Sequence, residues 1–247
     1  MQRSFSSSAL VLRVRSIGES NREAVFLSAE EGIISATLFG GPKSRLRSHV
    51  SPFNTGKLWT YRDPAKDFRK VSDFYVQSHR LGLRELYERS NTAFLIAAAI
   101  LAGHGGGSAF REAFILANAV LDALSSADEA CCERIRLYFL WNLAGLLGNT
   151  GGDISRCAYC ACEGAGDGVL WFILGEGFLC KNCMVKEQAQ NNQSWDSRGS
   201  KNCIALSPGA RRWLVTVQDK APSELARYTL DTTALGELKT LINIIGV

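Results

Sequence analysis

The chain has 247 residues, and its hydrophobic share of 46% and charged share of 21% are typical of a folded, soluble protein. The longest uncharged apolar run, residues 93–102, is about half of the roughly 20 residues that a membrane span needs, and the apolar stretch 9–12 is too short for a signal-peptide core. These features exclude a membrane or secreted protein and predict a cytoplasmic one. The eight cysteines predict metal binding rather than a disulfide scaffold.

The excess of positive over negative charge is confined to the first third of the chain. Residues 1–80 hold 13 basic and 7 acidic side chains, a net charge of +6, whereas residues 81–247 hold 15 basic and 17 acidic side chains, a net charge of −2. Such asymmetry predicts a polyanionic partner for the first segment, with an ordinary solvated surface as the alternative.

The first 80 residues are rich in strand-forming residues and are punctuated by glycine and proline. The predicted strands cover residues 9–14, 23–28, 32–39, 58–61 and 71–76. Five short strands with this punctuation predict a small barrel. An oligonucleotide-binding (OB) barrel is the natural candidate, because its curved face and loops suit oligonucleotides.

Basic and aromatic side chains interleave through this segment. The candidate DNA-binding residues are Arg13, Arg15, Arg22, Lys43, Arg45, Arg47, Lys57, Arg69 and Lys70. Lys43, Arg45 and Arg47 alternate through a predicted loop, so we expect them to share one side and contact phosphates together. Aromatic faces can stack unpaired bases, but we expect most of the aromatic side chains to fill the barrel core. These are Phe39, Phe53, Trp59, Tyr61 and Phe68.

Helical spacing of apolar residues begins near residue 81. The predicted helices cover residues 86–102, 110–124, 135–147, 211–217 and 233–245. The third is apolar nearly all round, which predicts a central position in a helical domain. Ser207 and Pro208 are expected to cap and open the fourth.

Two Cys-x-x-Cys pairs, Cys157 with Cys160 and Cys180 with Cys183, are separated by 19 residues. A short pair lets both thiolates face one ion, and a hairpin predicted between the pairs brings them together. Four thiolates fill a tetrahedral zinc, so the predicted zinc site is structural; four reduced, buried thiols are the alternative. Cys162 is close enough to substitute for a neighbour but is expected to be a bystander. Core or surface thiols are expected at the remaining positions, Cys131, Cys132 and Cys203.

The sequence contains no complete catalytic motif. Residues 40–44 end like a phosphate-binding loop but lack its first glycine at the required spacing. Residues 104–107 resemble an oxyanion-hole loop, but the nucleophile motif that accompanies such loops is missing. We therefore expect a binding protein and not an enzyme.

Six segments resemble, in order, the bacterial DNA repair protein RecO family. They are ALVLRVRSIGES at 9–20, EEGIISA at 30–36, KSRLR at 43–47, SPF at 51–53, GFLCKNC at 177–183 and LSPGA at 206–210. Each is short, and it is their order and spacing over most of the chain that make the resemblance persuasive.

The residues and the resemblance together predict an α+β fold. The expected parts are an OB-type β-barrel at 1–80 that binds DNA, a helical domain at 81–150, a four-cysteine zinc module at 151–190 and a C-terminal segment at 191–247 that completes the helical domain.

The resemblance also implies partners. Members of the family bind single- and double-stranded DNA, anneal complementary strands and, with RecR, help RecA to replace single-strand-binding protein (SSB) on exposed DNA. The acidic, apolar C-terminal tail of SSB needs an apolar groove with an arginine, and we choose Arg134 and Arg136 beside the most apolar helix. A zinc-ribbon adaptor that binds only protein, and a zinc enzyme, are the alternative functions. The expected location is the cytoplasm, in association with the nucleoid.

Overall fold

The computed structural model describes residues 3–40, 44–63, 65, 68–162, 169–191 and 202–246. The chain folds into two compact units, Met1–Cys132 and Glu133–Val247. The finer division at residues 80, 150 and 190 stays a prediction.

The first unit begins with a closed barrel of five strands. They are β1 (Ser4–Ile17), β2 (Asn21–Ser28), β3 (Gly32–Leu38), β4 (Thr55–Asp63) and β5 (Phe68–Ser78). Their order around the barrel is β1, β2, β3, β5, β4, and neighbouring strands are antiparallel except for β3 and β5. The predicted OB-type barrel is confirmed, and β1, β4 and β5 run beyond both of their predicted ends.

Small and aliphatic residues fill the barrel together with two phenylalanines. Phe26 of β2 and Phe74 of β5 pack with their ring centroids 6.0 Å apart inside it. The prediction that most of the five aromatic side chains fill this core is wrong, because none of them belongs to it. Leu58 and Thr60 are buried on either side of Trp59, so the alternation of a strand turns Trp59 outward. Phe53 is buried, but its ring packs against Phe94 at a centroid distance of 4.9 Å.

A short helix, α1 (Arg45–His49), replaces the predicted loop between β3 and β4. Residues two apart in a helix are separated by about 200°, so the argument that Arg45 and Arg47 share one side is wrong. Arg45 is exposed and Arg47 is half-buried. Lys43 lies outside the described residues.

Two predicted helices, α2 (Tyr87–Ala102) and α3 (Phe110–Leu124), complete most of the first unit. The turn between them is seated tightly on the barrel. Gly105 has a φ of 71°, and a Cβ there would lie 2.9 Å from Cγ1 of Ile33 in β3. Only glycine combines this backbone conformation with so close an approach.

Arg80 joins the barrel to the helices of the first unit. Its guanidinium, with a side chain only 3% exposed, donates to the carboxylate of Asp122 and the side-chain oxygen of Asn118, each at 2.7 Å. It also donates to the Phe53 carbonyl at 2.8 Å and the Thr55 hydroxyl at 2.7 Å. Two acceptors at the start of β4 and two on α3 therefore converge on one buried cation.

The second unit combines helices with a small sheet. The helix α4 (Glu129–Leu146) begins in the first unit, and the second unit continues with β6 (Leu170–Ile173), β7 (Gly177–Cys180), α5 (Lys181–Asn191), β8 (Cys203–Leu206), α6 (Pro208–Val217) and α7 (Thr232–Ile245). The sheet has the order β7, β6, β8. The predicted hairpin is confirmed as β6 and β7, whereas α5 and β8 were not predicted. The Ser207 hydroxyl caps α6 as expected, accepting from the Ala210 amide at 3.3 Å.

Within the described residues, no single helix has the length and apolar character to cross a membrane. The bent pair Tyr87–Ala102 and His104–Leu124, with 92° between its helices, passes the length and composition criteria when its members are taken together.

Candidate functional site

The outer surface of β1, β4 and β5 presents three rows of side chains, which we call the aromatic face. The strand registers place Ser4, Tyr61 and Lys70 in the first row, Ser6, Trp59 and Asp73 in the second, and Ser8, Lys57 and Tyr75 in the third. Paired residues of antiparallel strands point to the same side of a sheet, so all nine belong to one surface. Serines form one edge, and aromatic and charged side chains cover the rest.

The aromatic rings of this face are accessible. The Trp59 side chain is 38% exposed and Tyr75 is 65% exposed. The Lys70 ammonium lies 5.1 Å from the centroid of the Tyr61 ring, and Arg3 donates to the Tyr61 hydroxyl at 3.2 Å. Exposed rings beside cations can stack unpaired bases while the cations meet the phosphates.

Few of the predicted cations belong to this face. Lys57 and Lys70 lie on it, next to the aromatic rings. Arg15 of β1 is paired with Glu23, and hydrogen bonding to Arg15 lowers the pKa of that carboxyl despite the opposing effect of burial. Arg69 is 2.7 Å from a carboxylate oxygen of Glu31.

Three further predicted cations are not among the nine residues of this face. Arg13 of β1 and Arg45 of α1 are exposed, and Arg22 of β2 is half-buried. In the described part of the chain, neither Arg13 nor Arg45 has a carboxylate within ion-pairing distance.

Tyr75 is not among the binding residues predicted from the sequence, all of which are basic. A signal was present in the sequence: Phe74 occupies an apolar position of β5, and alternation then places Tyr75 on the opposite side.

A cluster of thiols forms the candidate metal centre in the second unit. The sulfurs of Cys157, Cys160, Cys162 and Cys180 all lie within 4.8 Å of one another. Tetrahedral zinc with bonds of about 2.3 Å to sulfur places its four sulfurs roughly 3.8 Å apart. The Cys160 and Cys180 sulfurs are 3.8 Å apart, so these residues can hold a metal ion.

Backbone amides surround the first cysteine of the cluster. Burial would raise the pKa of Cys157, but hydrogen bonds from the amides of Cys160, Cys180 and Tyr159 outweigh it and lower the pKa to about 6. The Cys180 amide donates to the Cys157 sulfur at 3.4 Å. Amides aimed at a sulfur stabilise the thiolate, which is the form that binds metal.

The cluster contains a fifth thiol. Cys183, on α5, belongs to the same buried cluster as Cys157, and Cys180 packs against that cluster. Cys183 is buried in an apolar cluster with Met184, whereas Cys162 is exposed. Which four thiols form the ligand set therefore stays a prediction. Core thiols, one of the two expectations for the remaining cysteines, are found at Cys131, Cys132 and Cys203.

The arginines predicted to hold the SSB tail differ in their surroundings. Arg136 makes two hydrogen bonds to Glu133, at 2.9 and 2.7 Å, and Lys239 lies 3.1 Å from the same carboxylate. The Nε of Arg134 is buried and has no hydrogen-bond partner among the described residues. The guanidinium of Arg136 is thus already hydrogen-bonded to Glu133, whereas the Nε of Arg134 lacks a partner in the described part of the chain.

A cavity of about 150 Å³ lies in the first unit beside the strained residue Phe53. Phe94 and Leu83 of its lining are apolar, Arg84 adds a guanidinium and His79 adds an imidazole ring. The Arg84 guanidinium donates to the Ser51 hydroxyl at 3.0 Å. Within the described ranges, no carboxylate lies at ion-pairing distance from Arg84.

Known proteins with related sequences identify the family. A family model described as "Recombination protein O N terminal" matches residues 1–77. The DNA repair protein RecO of Pelotomaculum thermopropionicum is 31% identical over 185 residues, which are 73% of this chain and 69% of that protein. The chain belongs to the RecO family.

Two further RecO proteins show similar relationships. That of Rubrobacter xylanophilus is 29% identical over 181 residues, covering 72% of this chain and 71% of its own. That of Chlorobium limicola is 28% identical over 155 residues, covering 61% and 58%. Membership of the RecO family confirms the resemblance and supports a role in DNA repair and recombination.

Proposed function

We propose that this RecO family member binds single-stranded DNA on its aromatic face and acts as a recombination mediator without catalysing a reaction. In this role it anneals complementary strands and, with RecR, helps RecA to load onto SSB-coated single strands, in the cytoplasm and in association with the nucleoid. The observation that supports binding is the exposure of Trp59 and Tyr75 beside Lys57 and Lys70 on one continuous surface.

The chemistry of this face suits unpaired bases. Every base has a π-face, so stacking on Trp59 and Tyr75 would hold a strand with little regard for its sequence. Lys57 and Lys70 would contact the backbone, although the Asp73 carboxylate in the middle row repels phosphates. The exposed cations outside the face, Arg13 and Arg45, are proposed to contact the second strand of a duplex.

The metal is proposed to be a structural zinc. The donor set supports this assignment, because thiolates in a tetrahedral arrangement suit zinc and a complete set of four leaves no position for water. A bound ion would cross-link separate segments of the chain. Cys157 and Cys160 would fix the loop that follows α4, and Cys180 would fix the end of β7.

Removing the two exposed rings tests the proposed function. In a Trp59→Ala/Tyr75→Ala variant we expect affinity for an unstructured oligonucleotide to fall roughly 30-fold or more, because stacking contributes about 1–3 kcal/mol per base. The slope of log affinity against log salt should hardly change. A Lys57→Ala/Lys70→Ala variant should instead flatten that slope by about 1.4, since each phosphate contact on a single strand contributes about 0.7. Fluorescence anisotropy over a salt series measures both quantities.

The matched control is Tyr87→Ala, which removes an exposed tyrosine from α2 and should leave binding unchanged. Strand annealing with SSB-coated oligonucleotides should follow the same order of defects. Wild-type affinity in the Trp59 and Tyr75 variant would show that the face does not bind DNA. An absence of DNA binding by the wild-type protein would favour the adaptor that binds only protein.

The SSB tail has two proposed positions. Arg134 and Arg136 remain proposed, and the cavity beside Arg84 is added because it combines apolar walls with a cation that no described carboxylate pairs with. We expect Arg84→Ala to weaken binding of a tail peptide about tenfold, since a charged hydrogen bond contributes about 1.5–3 kcal/mol. Arg134→Ala/Arg136→Ala should cost less, because Glu133 already occupies Arg136. Peptide titrations of both variants measure the difference, and the opposite order of defects would place the tail at Arg134 and Arg136.

A further inference from the structure

Five thiols converge where a tetrahedral ion takes four. Cys157, Cys160 and Cys180 lie within 4.8 Å of one another and of Cys162, and Cys183 packs in one buried cluster with Cys157 and Cys180. Cys162 completes one set with them, and its sulfur is 3.2 Å from that of Cys160. Cys183 completes the other. The site thus contains one thiol more than a zinc ion can use.

The two candidates for the fourth ligand, Cys162 and Cys183, differ in their access to water. Cys183 is 9% exposed, on the first turn of α5, and packs with Leu179 and Met184. Cys162 is exposed and follows Cys160 by two residues. A set completed by Cys183 is therefore sheltered, whereas a set completed by Cys162 lies open to solvent.

We propose that Cys162 and Cys183 are alternative fourth ligands of one metal site, which exchanges between a sheltered and an exposed four-thiolate set. The proposal rests on the metal binding proposed above. With an ion bound, the ligating member of this pair would be a thiolate and the other a thiol, so the total charge of the site would be the same in both sets. No oxidant or reductant is needed.

Substitution of each ligand separately and together tests this exchange. Cys162→Ala and Cys183→Ala variants of the full-length protein should each retain zinc in the wild-type amount, whereas the double variant should lose most of it on dialysis. Cys203→Ala removes a buried cysteine of the same apolar cluster and serves as the matched control, which should keep its zinc. Loss of zinc from either single variant overturns the proposal. A wild-type protein without zinc would instead refute the metal site itself.

Two further measurements distinguish exchange from simple tolerance. Cobalt(II) loaded into either single variant should give the absorption of a four-thiolate site, and a spectrum of three thiolates with water would overturn the proposal. With a competing chelator, Cys183→Ala should release zinc faster than wild type and Cys162→Ala more slowly, because only the exposed set admits the chelator. Equal release rates in folded variants, with folding checked by hydrogen exchange of β6 and β7, would also contradict the exchange.

Discussion

Replacing Cys157 by serine is expected to strip the metal from the protein and to unfold the segment that surrounds it. Cys157 belongs to both of the proposed four-thiolate sets, so its replacement leaves each set with three thiolates. Apparent binding free energies of structural zinc are about 10–16 kcal/mol and are coupled to folding, which makes the expected loss comparable to the whole stability of a typical domain. Native mass spectrometry should find zinc in the wild type and none in the variant.

Hydrogen exchange then shows which segment of the chain unfolds in the variant. The amides of β6 and β7 should exchange rapidly in Cys157→Ser, while those of the barrel, in the other compact unit, should keep their protection. Cys203→Ala is again the comparison, since it alters a buried thiol of the same cluster without removing a proposed ligand. Unchanged zinc content in Cys157→Ser would mean that the thiol cluster is not the metal site.

Replacing Arg80 by methionine should destabilise the first unit by about 3–5 kcal/mol, because it leaves buried polar groups without their charged donor. The Phe53 carbonyl and the side chains of Thr55 and Asn118 would each lose a hydrogen bond. The methionine side chain fills a similar volume, so the effect reports lost hydrogen bonds rather than a cavity. Urea-dependent hydrogen exchange of β1 and β4 amides measures the free energy of opening.

Asp122→Asn is the control for this measurement. The Asp122 side chain is 59% exposed, so the loss of its ion pair with Arg80 should cost no more than about 1 kcal/mol. If both substitutions cost the same, the stability comes from the ion pair and not from the buried hydrogen bonds.

The barrel could be predicted because alternation and turn residues are local properties of the sequence. The positions of the aromatic side chains could not, because apolar character alone does not say on which side of a strand a ring lies. Trp59 sits between Leu58 and Thr60, and the burial of these two residues in the fold shows that the side of Trp59 faces solvent. Arg45 and Arg47 show a second difficulty. Alternating cations are compatible with an extended loop, and the sequence does not show that this segment forms the helix α1.

The cysteine spacing predicted a metal site but not all the thiols that meet there. Two Cys-x-x-Cys pairs account for four sulfurs, and Cys162 falls outside that pattern. Its approach to the cluster depends on a reversal of the chain after Cys160, where Ala161 has a φ of 53° and the Cys157 amide donates to the Cys162 carbonyl at 3.0 Å. Such a left-handed alanine is unfavourable by itself, so local propensity gives no sign of it.

The strand pairing of the barrel is uneven, and this bears on the entropy of binding. Between described residues, β3 and β5 are joined through the single pair Thr37 and Lys70, whereas β4 is paired along its whole length with β5 and along most of it with β1. Thermal opening should therefore concentrate at the β3–β5 seam. The sheet around Trp59 is expected to stay ordered. Single-stranded DNA that stacks there would therefore lose little affinity to ordering of the protein.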